Sequence, residues 1–206
     1  VATGFFSSIT PFQRGVRYLM IAKHCAQNGA EVKVGGEVVG SVTWTAPDYD
    51  LEMVRVDPNV RRTPVCTGAS QLHNCFIKED IFPRAFGRVF LDTPFGERPI
   101  PMRAGAQPGA DETFCTSGSS TGVNCSWTSA PTPARGYEPG EVAAAHASGI
   151  GVIMGDSGGP VVGVNGQFYG IIVTQGLQEN VGLMGYIPAS RVLGEVSSNY
   201  ALADPN

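Results

Sequence analysis

The stretch Gly155-Asp156-Ser157-Gly158-Gly159-Pro160 decides how the rest of the chain is read. A serine set among glycines, just ahead of the apolar Val161-Val162, has a chemical reading. Glycine tolerates backbone angles that turn consecutive N–H groups to one side of a tight loop. Such N–H groups can hold the oxyanion that forms when a hydroxyl attacks a carbonyl. A serine hydroxyl is a weak nucleophile, so it needs a general base in hydrogen-bond reach, and that base needs an orienting partner. The rest of the chain must therefore supply a base and a carboxylate.

Composition limits the alternatives. The 206 residues include 27 Gly and 15 Pro but only 16% charged residues, which suits many short strands joined by tight turns. A chain this long can bury a sizeable core. A net charge of −4 and the lack of a Lys/Arg cluster argue against a nucleic-acid partner. No apolar run reaches the roughly 18 residues needed to span a bilayer, so no membrane partner is expected. The start at Val1 reads as a processed mature form whose targeting segment is gone.

Of the five cysteines, Cys66 and Cys75 bracket one polar loop, and Cys115 and Cys125 bracket another. Neither pair has Cys-x-x-Cys metal spacing. Two short-loop disulfides formed in an oxidising compartment are the economical reading. Cys25 is left over and is expected to be buried and unreactive, with an intermolecular bond as the alternative.

Working outward, Val1–Phe6 reads as an edge strand, Gln13-Arg14-Gly15 as a turn and Val16–Ala22 as a buried strand. Glu31–Val34 and Glu37–Val42 flank Gly35-Gly36 as a hairpin, and Asp50–Val56 is another strand. Residues 57–83 read as a less regular surface excursion. Arg84–Leu91 holds one more strand, and Arg98-Pro99-Ile100-Pro101 offers a boundary between halves 1–97 and 98–206. Ser129–Gly140 suits a surface loop. Ala-rich Glu141–His146 has helical propensity that strand neighbours could override. Val161–Val164 and Gln167–Val173 form a hairpin about Asn165-Gly166, and Pro188–Val196 fits a short C-terminal helix. The three histidines are His24, His73 and His146. His24 follows a buried strand, His73 lies in a polar loop and His146 among small residues.

Four stretches together resemble the chymotrypsin-like serine proteases. Gly155–Pro160 matches their nucleophile loop. Tyr18-Leu19-Met20-Ile21-Ala22-Lys23-His24-Cys25 is similar to the strand and Ala-x-His-Cys that carry the base. Asp50-Leu51-Glu52-Met53-Val54-Arg55 resembles the strand that opens with the orienting carboxylate. Asp48 competes for that role, but Asp50 places Met53 and Val54 on the family's apolar pair. Cys115–Cys125 resembles a disulfide loop of secreted bacterial members such as α-lytic protease and the streptogrisins, and Val1–Phe6 resembles their start. The order His24, Asp50, Ser157 is this family's order.

The resemblance implies an all-β chain of two Greek-key six-stranded β-barrels with a short C-terminal helix. The first barrel would carry His24 and Asp50, the second Ser157. It implies a secreted bacterial endopeptidase with an oxyanion hole from the N–H groups of Gly155 and Ser157, and a substrate-binding strand at Val173-Thr174-Gln175. It needs no metal or organic cofactor, acts on protein or peptide substrates and is expected to be monomeric. The chain also departs from the pattern. Cys25 lacks its usual partner. Thr116 stands where bacterial relatives have the arginine that holds the Asp before the nucleophile, which leaves Arg103 and Arg135 as candidates to hold Asp156. Val173-Thr174-Gln175 replaces the usual Ser-x-Gly. These departures motivate a second reading, a silent or partner-activated binding protein on a protease scaffold, and a third, an esterase.

Overall fold

The computed structural model describes residues 2–4, 10–68, 74–133, 142–176, 178–196 and 199–206, most of them in short strands. In order these are β1 (Ala2–Gly4), α1 (Pro11–Gly15), β2 (Arg17–Ile21), β3 (Glu31–Val34), β4 (Glu37–Thr45) and β5 (Glu52–Val56). Then come β6 (Asn59–Thr67), β7 (Asn74–Phe82), β8 (Arg88–Thr93), β9 (Gly96–Pro101) and β10 (Arg103–Ala104). The remainder is β11 (Phe114–Gly118), β12 (Gly122–Ala130), β13 (Ala143–Ala147), β14 (Pro160–Gly163), β15 (Gln167–Gln175), β16 (Leu183–Pro188), α2 (Ala189–Glu195) and β17 (Tyr200–Leu202).

The all-β, chymotrypsin-type architecture is present. Strands β11, β12, β13, β16, β15 and β14 pair in a ring, because β15 bonds to both β14 and β16, and so close a six-stranded barrel. Phe114, Trp127, Val161, Ile172, Met184 and Tyr186 fill it. The other large sheet is six-stranded, in the order β17-β1-β2-β5-β4-β3, with Val42, Val54 and Val56 buried against it. Its ladder does not close on itself among the described residues. A third apolar cluster, including Leu51, Val89, Leu91, Met102, Phe168, Ile171 and Val192, joins the two sheets.

Several local expectations change. Strand β1 is not an edge, because β17 returns from the far end of the chain to pair with it, Ala2 opposite Leu202. Residues 11–15 form a helical turn rather than a simple turn, closed by a capping box between Thr10 and Gln13 with Pro11 at its start. The segment after Asp57 is regular: β6 and β7 pair over nine positions, from Asn59–Phe82 to Thr67–Asn74. Both faces are largely exposed, so no apolar alternation marks it. Arg62–Glu79 and Arg61–Asp80 ion pairs cross it instead, each worth little in water. The Pro-rich boundary segment is itself part of strand β9, and the chain changes sheets after Pro101. Residues 143–147 are a strand, because pairing with β12 and β16 outweighs the helical propensity of alanine.

Both expected disulfides are present, Cys66–Cys75 and Cys115–Cys125. Trp127 is the largest fully buried side chain, and its indole N–H donates to Thr116 Oγ1 at 2.9 Å. Trp127→Ala is expected to cost about 3–5 kcal/mol in urea unfolding. A loss under 1 kcal/mol would contradict this core.

Candidate active site

Residue His24 comes from the end of β2, in a short 3-10 turn over Lys23–Cys25. Lys23 Nζ donates to Ala46 O at 2.9 Å and ties the turn to the neighbouring strand. Pairing of β2 with β5, Ile21 opposite Glu52, brings the residue before β5 alongside that turn. Asp50 then holds His24 at two points. Its Oδ1 accepts the His24 backbone N–H at 2.9 Å, and its Oδ2 lies 2.6 Å from Nδ1. Asp50 makes both contacts, not Asp48. The pair is open to solvent, with side chains 50% and 36% exposed.

Gly158 and Gly159 clamp the nucleophile loop onto β15. Gly158 N–H donates to Ile172 O at 2.8 Å, and Ile172 N–H donates to Gly159 O at 2.9 Å. Gly158 has φ of +84°, and a Cβ there would press on Ile21 and the Ala22 amide. The loop therefore lies directly against the strand that carries His24. Cys25 Sγ lies 3.8 Å from the Ser157 carbonyl oxygen. Among the described residues no hydrogen bond joins Ser157 Oγ to the imidazole. In unliganded hydrolases this bond commonly tightens only when substrate is bound.

Two amides of the loop are free. Asp156, Gly158 and Gly159 N–H groups bond to Ile153, Ile172 and Asp156 carbonyls. Those of Gly155 and Ser157, the expected oxyanion donors, have no such partner among the described residues. Val173, Thr174 and Gln175 directly follow Ile172 on β15, with a bulge between Ile172 and Thr174. Val173 is buried, and the other two are half-buried.

Among the described residues no arginine holds Asp156. Arg103 is exposed on β10, and Arg135 lies outside the described residues, as does His73. Instead Asp156 Oδ1 accepts the Ser120 and Thr121 N–H groups at 2.8 and 3.0 Å. Its Oδ2 accepts Thr121 Oγ1–H and Ile153 N–H, each at 2.9 Å. Burial alone would push this carboxyl up, but the four hydrogen bonds outweigh it and hold the group below its ordinary range. Thr116 faces the barrel interior and Trp127. His146 is exposed on β13, its imidazole beside Gly182.

Cys25 is exposed, not buried as expected, because the turn places it at the surface beside Ser157. Partial burial of its thiol and the nearby carboxylates of Asp50 and Glu52 push that thiol up, which limits its nucleophilicity. Sequence reading missed Glu52. It is fully buried, and neither carboxyl oxygen has a partner among the described residues. Thr45, opposite it on β4, also has a buried and unpartnered hydroxyl. Burial first, then Asp50, pushes the Glu52 carboxyl up. Its only sequence signal was a charged residue at an inward position of an apolar strand. Among the described residues no group of three His, Cys, Asp or Glu side chains could hold a metal ion, and no helix is long and apolar enough to cross a membrane.

Comparison with solved structures bears on the fold. Nocardiopsis protease (NAPase) matches at TM-score 0.64 and 19% identity, over 98% of this chain and 89% of that one. A glutamic acid-specific serine protease, described as using a histidine triad in substrate binding, matches at TM-score 0.57 and 23% identity, over 87% and 84%. Thermobifida fusca protease A matches at TM-score 0.56 and 21% identity, over 90% and 83%. No model of a known protein family matches the chain, and no curated protein does. The chain thus has the chymotrypsin fold, in the form seen in bacterial serine proteases.

Two outcomes follow from the site's electrostatics. Above the ordinary carboxylate range, the unfolded chain releases the Glu52 proton while the folded chain keeps it, so stability falls as pH rises towards the raised folded value. Glu52→Gln removes this slope, so its stability relative to the parent should improve between pH 4 and pH 7 in urea titrations. A constant gap would contradict a buried, raised carboxyl. Thr121→Val removes one donor to a buried carboxylate, and about tenfold slower acylation of Ser157 by a fluorophosphonate is expected, with Thr121→Ser near the parent rate. Equal rates for all three chains would contradict the role assigned to this bond.

Proposed function

We propose that the chain is a serine endopeptidase. The observation that carries the reading is the two-point grip of Asp50 on His24, delivered by β2 to the face of the Ser157 loop. In this mechanism His24 Nε2 takes the Ser157 proton as Oγ attacks the scissile carbonyl. Asp50 fixes the tautomer with the proton on Nδ1 and stabilises the imidazolium. The amides of Gly155 and Ser157 receive the oxyanion. His24 then returns the proton to the leaving amine, and water resolves the acyl-enzyme by the reverse steps. The chemistry calls on no metal or organic cofactor.

The halves 1–97 and 98–206 divide the labour, with base and carboxylate from the first and nucleophile from the second. Two disulfides fit an oxidising compartment, and bacterial structural neighbours fit secretion by a bacterium. The enzyme acts as a monomer on protein or peptide substrates. Val173-Thr174-Gln175 is the strand that a substrate backbone would meet.

One observation favours the reading of a partner-activated scaffold: the His24–Asp50 pair is half-open to water and not yet bonded to Ser157. Hydrolysis of activated esters without peptide cleavage would support it. Casein or peptide cleavage, lost by several orders of magnitude in Ser157→Ala, supports the endopeptidase; loss of the nucleophile in an unrelated protease costs about a millionfold. Peptide cleavage undiminished in Ser157→Ala would overturn the assignment.

A further inference from the structure

Behind the nucleophile loop lies a cavity of about 260 Å³ that the hydrolytic reading does not use. It opens between the two sheets and α2. Leu19, Ile21, Phe168, Ile171, Leu193 and Leu202 line it, and Gly158 forms part of its wall. At about 30 Å³ per water-sized group, it has room for about nine heavy atoms. An apolar space of this kind favours hydrocarbon over water.

One side chain in the lining is charged. Arg88, at the start of β8, reaches the cavity, and its partners are all neutral oxygens. Its Nε donates to Pro205 O, Nη1 to Pro99 O at 3.3 Å and Nη2 to Asn206 Oδ1 at 3.0 Å. Among the described residues no carboxylate lies within ion-pair distance of it. A guanidinium suits a carboxylate, and the exposed Arg88 keeps two of its five N–H groups, one on each Nη, for such a partner.

We propose that this cavity binds a medium-chain carboxylic acid, its alkyl chain between the two sheets and α2 and its carboxylate at Arg88. About nine alkyl carbons fill the cavity, and with the carboxyl carbon outside them at the exposed Arg88 the acid has about ten carbons. The cation chooses an acid over an alcohol. The occupant would lie against Ile21 and Gly158, the contact that brings His24 to Ser157. The proposal goes beyond the hydrolase reading and does not rest on it, since binding requires neither His24 nor Ser157.

The test is isothermal titration of the full chain with unbranched carboxylic acids from hexanoate to hexadecanoate, below their micellar concentrations. Affinity should rise about fourfold per added carbon, as burial of each methylene dictates, and level off near decanoate. Leu193→Trp, which fills the cavity from α2, should abolish binding. Arg88→Gln should weaken decanoate at least tenfold and leave 1-decanol unchanged, which also reports that the cavity is intact. Three results would overturn the proposal. These are no dependence on chain length up to decanoate, affinity that keeps rising to hexadecanoate, and undiminished binding by a folded Leu193→Trp chain. Equal loss of acid and alcohol in Arg88→Gln would remove Arg88 from the site.

Discussion

The arrangement depends on one buried anion. The Asp156 carboxylate is almost fully enclosed, and an ionised carboxyl can be kept there only if its lone pairs are satisfied. Four hydrogen bonds do this, and three come from Ser120 and Thr121, in the turn of the β11–β12 hairpin. The carboxylate thereby fastens the nucleophile loop to a second hairpin, which the Cys115–Cys125 bridge keeps short. Gly118 permits the approach, since a Cβ there would collide with the carboxylate. Asp156 is turned inward, Ser157 beside it is half-buried, and among the described residues the amides of Gly155 and Ser157 have no backbone partner. A cation would achieve the same neutralisation. Here neutral donors take its place, and the freed position, Thr116, accepts the indole N–H of the core tryptophan.

The second constraint is the contact between the two sheets. Gly158 meets Ile21 and Ala22 without a side chain in between. Strand β17 crosses from the second half to pair with β1, and the final residues reach Arg88 and Gly87. The halves are thus held together at both ends of the chain, and small shifts between them would change the separation of His24 from Ser157. The cavity beside this contact is a natural place for such a shift to be resisted or permitted.

The catalytic candidates were legible in the sequence because each is tied to a short local string. Gly155–Pro160, Ala22–Cys25 and Asp50–Arg55 are each short strings whose residues lie within a few positions of one another, and β2 pairs with β5 from Arg17–Val56 to Ile21–Glu52. The disulfide loops were legible for the same local reason. What could not be read depends on distant partners. The capture of β1 by β17 needs residues 200 positions apart. The β6–β7 hairpin carries polar side chains on both faces, so it leaves no periodic trace. Asp156 is held mainly by backbone amides, which every residue possesses, so no side-chain pattern announces the cradle, whereas a search for a charged partner points to Arg103, which takes no part. Glu52 reads as an ordinary strand residue, and only the three-dimensional packing shows that its carboxyl is enclosed.

In the proposed mechanism, base, carboxylate, nucleophile and oxyanion amides form one working unit. Reaction of the folded chain with a fluorophosphonate probe, followed by peptide mapping, tests it most directly. A serine reacts with such a probe only when its base and oxyanion donors are in place. Stoichiometric label confined to Ser157 is the expected result. A folded chain that takes up no label, or takes it at another residue, would contradict the account.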